Sequence, residues 1–109
     1  MLTDKAKNDF FQWRKENGYE VTFSQSSSQG SAESFDKLYQ IYESALIIEW
    51  FDSIGVYIHI EAYVSFNERI LFKNYILNHA NIDEQNSYID RNSSIESAIK
   101  KANEIYNTQ

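Results

Sequence analysis

The residues best suited to chemistry are few. His59 and Glu61 stand two positions apart in Val56-Tyr57-Ile58-His59-Ile60-Glu61-Ala62-Tyr63-Val64. In an extended segment that spacing puts both on one face, as a general base and the carboxylate that orients it would require. No serine in a recognisable nucleophile turn accompanies them, and the chain has no cysteine. A small hydrolase built on His59 and Glu61 is therefore an alternative and not the leading reading; we expect a protein that is not an enzyme. His79, the other histidine, falls where we expect a helix to end, and an imidazole beside unpaired carbonyls explains it without chemistry. Two histidines twenty residues apart and scattered carboxylates match neither zinc nor calcium spacing, so no metal is expected. Gly18, Gly30 and Gly55 never cluster into a phosphate cradle, and no cofactor is expected.

Charge is more informative than motif. The chain has 109 residues and a formal charge of −6. Residues 1–17 and 67–109 nearly cancel, while Gly18 to Phe66 holds seven acids (Glu20, Glu33, Asp36, Glu43, Glu49, Asp52, Glu61) against the single base Lys37. Such a field disfavours nucleic acid and speeds encounter with a basic protein. Its plainest alternative role is solubility.

The elements that must position these groups follow from apolar periodicity. Thr3 caps an expected helix over 4–17, with Ala6, Phe10 and Trp13 along one stripe and Gly18 closing it. Tyr19 to Ser24 alternates as a strand; Gln25 to Ser34 is polar and reads as a connection. Phe35 to Glu43 fits either a helical stripe (Phe35, Leu38, Ile41, Tyr42, Ala45) or a strand, and its tyrosine and isoleucine density leads us to strand. Ala45 to Phe51 and Gly55 to Val64 read as a hairpin across Asp52-Ser53-Ile54-Gly55. In the second of these strands Val56, Ile58, Ile60, Ala62 and Val64 form an apolar row, with Tyr57, His59, Glu61 and Tyr63 opposite. Ser65-Phe66-Asn67-Glu68 offers cap chemistry for a helix to Asn78; 80–92 reads as irregular; Ser93 or Ser94 opens a final helix with Ile95, Ala98, Ile99, Ala102, Ile105 and Tyr106 at three-four spacing.

The expected fold is therefore α+β in a single domain, 1–109: a four-stranded antiparallel meander with an N-terminal helix and two C-terminal helices packed on one face. The other face would be wet and show Tyr57, His59, Glu61 and Tyr63, joined by Glu49 and Phe51 of the neighbouring strand, with Glu20 or Glu43 further across. Tyrosine beside carboxylate suits a protein interface. RNA-binding sheets also display aromatics, but surround them with Lys and Arg.

Small size, acidity, a strand-rich middle (Tyr39-Gln40-Ile41-Tyr42-Glu43-Ser44, then Leu46-Ile47-Ile48-Glu49-Trp50-Phe51-Asp52) and a closing helix opened by Ser93-Ser94-Ile95-Glu96 resemble bacterial immunity proteins of contact-dependent inhibition and related polymorphic toxin systems. The resemblance implies a cognate toxin domain, often a nuclease with a basic active site, blocked by acidic and aromatic side chains. From the residues themselves we expect Glu49, Asp52, Tyr57, His59, Glu61 and Tyr63 to touch a basic protein. A homodimer with a structural or phage-accessory role, formed through the same sheet face, is the alternative. Met1 to Phe11 alternates charge with apolar residues, unlike a secretory leader, and no apolar run suits a bilayer, so a cytoplasmic protein that binds no membrane is expected.

Overall fold

The computed structural model describes residues 2–19, 32–79, 81–84 and 87–109. Its elements are α1 (Asp4–Glu16), α2 (Ala32–Ser53), β1 (Val56–Val64), β2 (Ile70–Asn78), β3 (Asn81–Glu84) and α3 (Arg91–Asn107). The strands form an antiparallel sheet in the order β1-β2-β3. α2 and α3 pack on one side of that sheet, and α1 packs on α2 and α3. The architecture is α+β, with three helices and a three-stranded antiparallel sheet among the described residues.

Three expectations need correction. The strands expected over 35–43 and 45–51 are one continuous helix, α2. Glu43-Ser44 carries neither glycine nor proline to break a helix, and Leu46, Ile47, Trp50 and Phe51 recur at helical spacing and are all buried. The helix expected over 66–78 is instead β2. Ser65-x-x-Glu68, read as a helix cap, closes the β1–β2 hairpin: Ser65 and Arg69 face each other, with the Ser65 N–H donating to the Arg69 carbonyl at 2.7 Å, and Glu68 takes φ 61° at the left-handed position of a three-residue loop. Finally, the segment expected to be irregular contains β3, and one helix, α3, follows the sheet where two were expected. Of the expected strand Tyr19 to Ser24, all but Tyr19 lies outside the described residues.

Other expectations hold in place but not in detail. Gly18 (φ 74°) ends α1, and Gly55 (φ 83°) turns the chain as expected, though from a helix into a strand. Thr3 precedes α1 without capping it through its own side chain. The capping comes from α3: Asn103 Oδ1 accepts the Thr3 N–H at 2.9 Å and Asn107 Oδ1 accepts the Ala6 N–H at 2.8 Å. Asp90, not Ser93 or Ser94, caps α3 by accepting the Ser93 N–H at 2.7 Å. Ser94 lies inside the helix, fully buried, where its carbonyl and hydroxyl receive the Asn74 amide of β2 at 3.0 and 3.1 Å.

The core gathers around Trp50, whose ring lies 5.7 Å from Phe10, 4.7 Å from Phe51 and 5.1 Å from Tyr106 between centroids. Val56 and Ile76 bring the sheet to it, and Ala98, Ile99 and Ala102 bring α3. Each fully buried large side chain contributes about 1.5–3 kcal/mol. Arg14 is buried as well: its Nη1 donates to both Glu43 oxygens at 2.8 and 2.9 Å, and its Nε donates to the Tyr19 carbonyl at 3.0 Å. This one side chain ties α1, α2 and the turn at Gly18 together.

Two measurements follow. Arg14→Ala strands the Glu43 carboxylate in a poorly hydrated site, so urea unfolding should show a loss of about 3–5 kcal/mol; a loss no larger than for an exposed lysine would mean that the pair adds nothing. Tyr106 donates a hydrogen bond to Asp9, and burial, that bond and the Asp9 charge push its phenol up to about 12. The folded protein holds this proton more tightly than an unfolded tyrosine of pKa ~10, so the associated stabilisation is complete below pH ~10 and is lost as the pH rises to about 12. Tyr106→Phe should flatten the stability profile across that window.

Candidate functional site

Alternation along β1 places Tyr57, His59, Glu61 and Tyr63 together on the side of the sheet away from α2 and α3. The antiparallel register sets Leu77 beside Tyr57, Tyr75 beside His59, Lys73 beside Glu61 and Leu71 beside Tyr63. β3 extends two of these rows, with Ile82 next to Leu77 and Glu84 next to Tyr75. The face that no described helix covers is thus built in bands: an apolar row (Tyr57, Leu77, Ile82) at the β2–β3 turn, and polar rows further along. Tyr57 is 52% exposed and Ile82 68% exposed.

The polar rows are linked among themselves. The Lys73 ammonium pairs with Glu84 and lies 5.8 Å from the centre of the Tyr63 ring. The hydrogen bond to Glu84 raises the Lys73 pKa. Tyr75 stands 5.9 Å from His59 between ring centres. Desolvation and a hydrogen bond to Glu61 raise the pKa of its phenol. Tyr63 shares a hydrogen bond with Ser87.

The six residues expected at a partner surface therefore divide. Tyr57, His59, Glu61 and Tyr63 lie together on the open face, with Tyr63 only half exposed. Glu49 and Asp52 do not join them on a neighbouring strand, because that segment is α2. Both are exposed on the helix, and burial, reinforced by the charge of Glu49, raises the Asp52 pKa. Phe51, expected near this face, is in the core at 0% exposure, and Glu43 is held by Arg14. Glu20 lies outside the described residues. His79 occupies the β2–β3 turn with φ 50°, not a helix end.

Lys73, Tyr75, Leu77, Ile82 and Glu84 complete the face, and the expectation of a helix to Asn78 followed by irregular chain leaves them out. The available signal was the alternation of Leu71, Lys73, Tyr75 and Leu77 against Phe72, Asn74 and Ile76, obscured by a polar residue, Asn74, in the buried row.

A groove of 570 Å³ lies elsewhere, between α2 and the start of α3, and is lined by Lys37, Gln40, Ile41, Ile48, Ile95 and Glu96 among others. His59 and Glu61 are not among its lining residues. Among the described residues no cluster of three or more histidine, aspartate or glutamate side chains forms a metal cage, and no helix is long and apolar enough to cross a membrane. No protein-family model, curated protein or solved structure matches the chain.

The Glu61–Tyr75 contact can be tested directly. Followed by NMR, the Tyr75 phenol should titrate above an ordinary tyrosine, and Glu61→Gln should bring it part of the way back, the remainder being desolvation. An unchanged titration would show that Glu61 does not engage the ring hydroxyl.

Proposed function

We propose that the protein is a binding module that docks the uncovered face of its sheet on a basic protein and neutralises it, as an immunity protein or inhibitor does to a toxin domain. One observation carries this reading: an apolar row of Tyr57, Leu77 and Ile82 crosses three strands on the side that no described helix covers, with Tyr57 and Ile82 more than half exposed. Tyrosine supplies a large contact area at small entropic cost, and the polar bands alongside supply direction.

The preference for a basic partner rests on the molecule's whole charge of −6 more than on the face itself. Glu61 and Glu84 are the carboxylates of the sheet surface, and Lys73 offsets one of them. Glu49 and Asp52 add their charge from α2, where they act on the approach of a partner and not on the strand rows. Basic side chains attracted by this field would meet the tyrosines at close range.

The test uses the intact chain as bait in its native cells, followed by binding kinetics with the protein it retains. The expected partner is basic. Its association rate should fall steeply as salt shortens the Debye length from about 30 Å to about 8 Å. Ile82→Arg and Tyr57→Arg should each weaken the complex by about 2 kcal/mol or more, as central aromatic and aliphatic anchors do. A partner bound equally well by both variants, with an association rate indifferent to salt, would place the docking surface elsewhere and reduce the acidity to a solubility device.

A further inference from the structure

Among the described strands β1 lies at an edge of the sheet. Its neighbour on one side is β2, and among the described residues no strand pairs with its other side. The edge is long, nine residues in unbroken register with β2, and it contains no proline, lysine or bulge, the usual devices that keep such an edge from pairing.

The direction of its unpaired backbone groups follows from the ladder. Phe72 exchanges both backbone hydrogen bonds with Tyr88, on the side of β2 away from β1, at 2.8 Å each. Alternate residues of a strand point their N–H and C=O to opposite edges, so Leu71, Lys73, Tyr75 and Leu77 point theirs toward β1 and meet Tyr63, Glu61, His59 and Tyr57. Val56, Ile58, Ile60, Ala62 and Val64 consequently aim their backbone donors and acceptors outward.

The strand is also nearly its own reverse. Read from either end, Val-Tyr-Ile-His-Ile-Glu-Ala-Tyr-Val presents valine, tyrosine, a small or branched apolar residue, a polar partner, and isoleucine at the centre. Antiparallel pairing with a second copy about Ile60 sets each Tyr57 against the other's Tyr63 and each His59 against the other's Glu61. Ile60 then meets its own counterpart. Both polar pairs match an imidazole N–H donor to a carboxylate acceptor, and all nine residues are used. Shifting the register by two residues in either direction, the smallest step that keeps the faces matched, puts His59 against His59 or Glu61 against Glu61. Every other residue set also fits: the outward backbone groups of Ile58, Ile60 and Ala62 become the hydrogen-bonded pairs, and the tyrosine and His–Glu pairs fall at the closer, non-hydrogen-bonded positions.

We infer that the chain forms a two-fold symmetric dimer through β1, joining two sheets into one six-stranded sheet. A second copy is the occupant because the edge is complementary to itself. Packing supports the same arrangement. α2 covers the Val56 end of the strand, whereas Ala62 and Val64 at the other end are bare, Val64 at 69% exposure. The symmetry lays the covered end of each copy beside the bare end of its mate. Continued past the strand ends, the register brings Phe66, fully exposed at the hairpin tip, toward the second copy's exposed Ile54.

Sedimentation equilibrium on the full chain tests the inference, and should show a reversible species of twice the 12.8 kDa of one chain. His59→Glu sets carboxylate against carboxylate at two places and should raise the dissociation constant tenfold or more, roughly the scale of like-charge juxtaposition. Adding Glu61→Lys to that variant restores opposite charges and should restore the dimer. Ala62→Pro removes an outward N–H that β2 does not use, so circular dichroism should report an intact fold while the dimer is lost. Ile82→Arg, on β3 and away from this edge, should leave the dimer intact, which separates this surface from the face proposed for the basic partner. A wild-type chain that stays monomeric at every concentration overturns the inference. So does a dimer that persists in both His59→Glu and Ala62→Pro, or one broken by Ile82→Arg.

Discussion

With Trp50 and Phe51 removed from water by Phe10 of α1 and Tyr106 of α3, α2 is held as a helix against the Val56 end of β1, and every later feature inherits that placement. An indole and a phenyl ring side by side in sequence cannot both be buried by a half-exposed strand, which turns successive side chains to opposite faces. Burying them needs neighbours on more than one side, which a helix lying between α1, α3 and the sheet receives. The Arg14–Glu43 pair fixes the same helix nearer its start, so its position is set at two points along its length.

Because the helices take one side of the sheet, the other side is defined by subtraction. Its character then follows from strand alternation alone. β2 contributes Leu71, Lys73, Tyr75 and Leu77 between the two outer strands; Lys73 is satisfied by Glu84 of β3 and Tyr75 by Glu61 of β1, leaving the Tyr57-Leu77-Ile82 row as the part with exposed apolar area. The described members of the acidic block do not gather into an acidic patch on the sheet. Glu43 is spent on Arg14, Glu49 and Asp52 are exposed on α2, and Glu61 alone of these four lies on the open face of the sheet. Charge read along a chain is a statement about the whole molecule's field, and its division among faces depends on the fold.

How much was legible depended on whether a segment carried one period or two. In α1 and α3 the three-four spacing has no competitor, and in β1 nine residues alternate without interruption, so these elements, and the Tyr57, His59, Glu61, Tyr63 row with them, can be read directly. Residues 35–53 combine β-branched and aromatic side chains with a helical stripe. There local preference points to strand, while burial of Leu46, Ile47, Trp50 and Phe51 together selects helix. β2 was hidden by Asn74, a polar residue at a fully buried position whose amide finds Ser94 twenty residues away. No local pattern announces a partner at that separation, and with β2 misread half of the open face could not be assembled.

The way α1 is started carries a consequence for how the protein is made. Two of its first four N–H groups, those of Thr3 and Ala6, are received by Asn103 and Asn107, 100 and 101 positions further on, and Thr3 is enclosed by the same two amides. A nascent chain leaving the ribosome has α1 in hand long before α3 exists, so the helix must wait with its amino end ragged until the closing helix emerges. Acquisition of the native structure is thereby deferred until α3 has emerged, and a chain stalled or clipped before Asn103 would lack both the amides that start α1 and the Tyr106 ring that packs on Trp50.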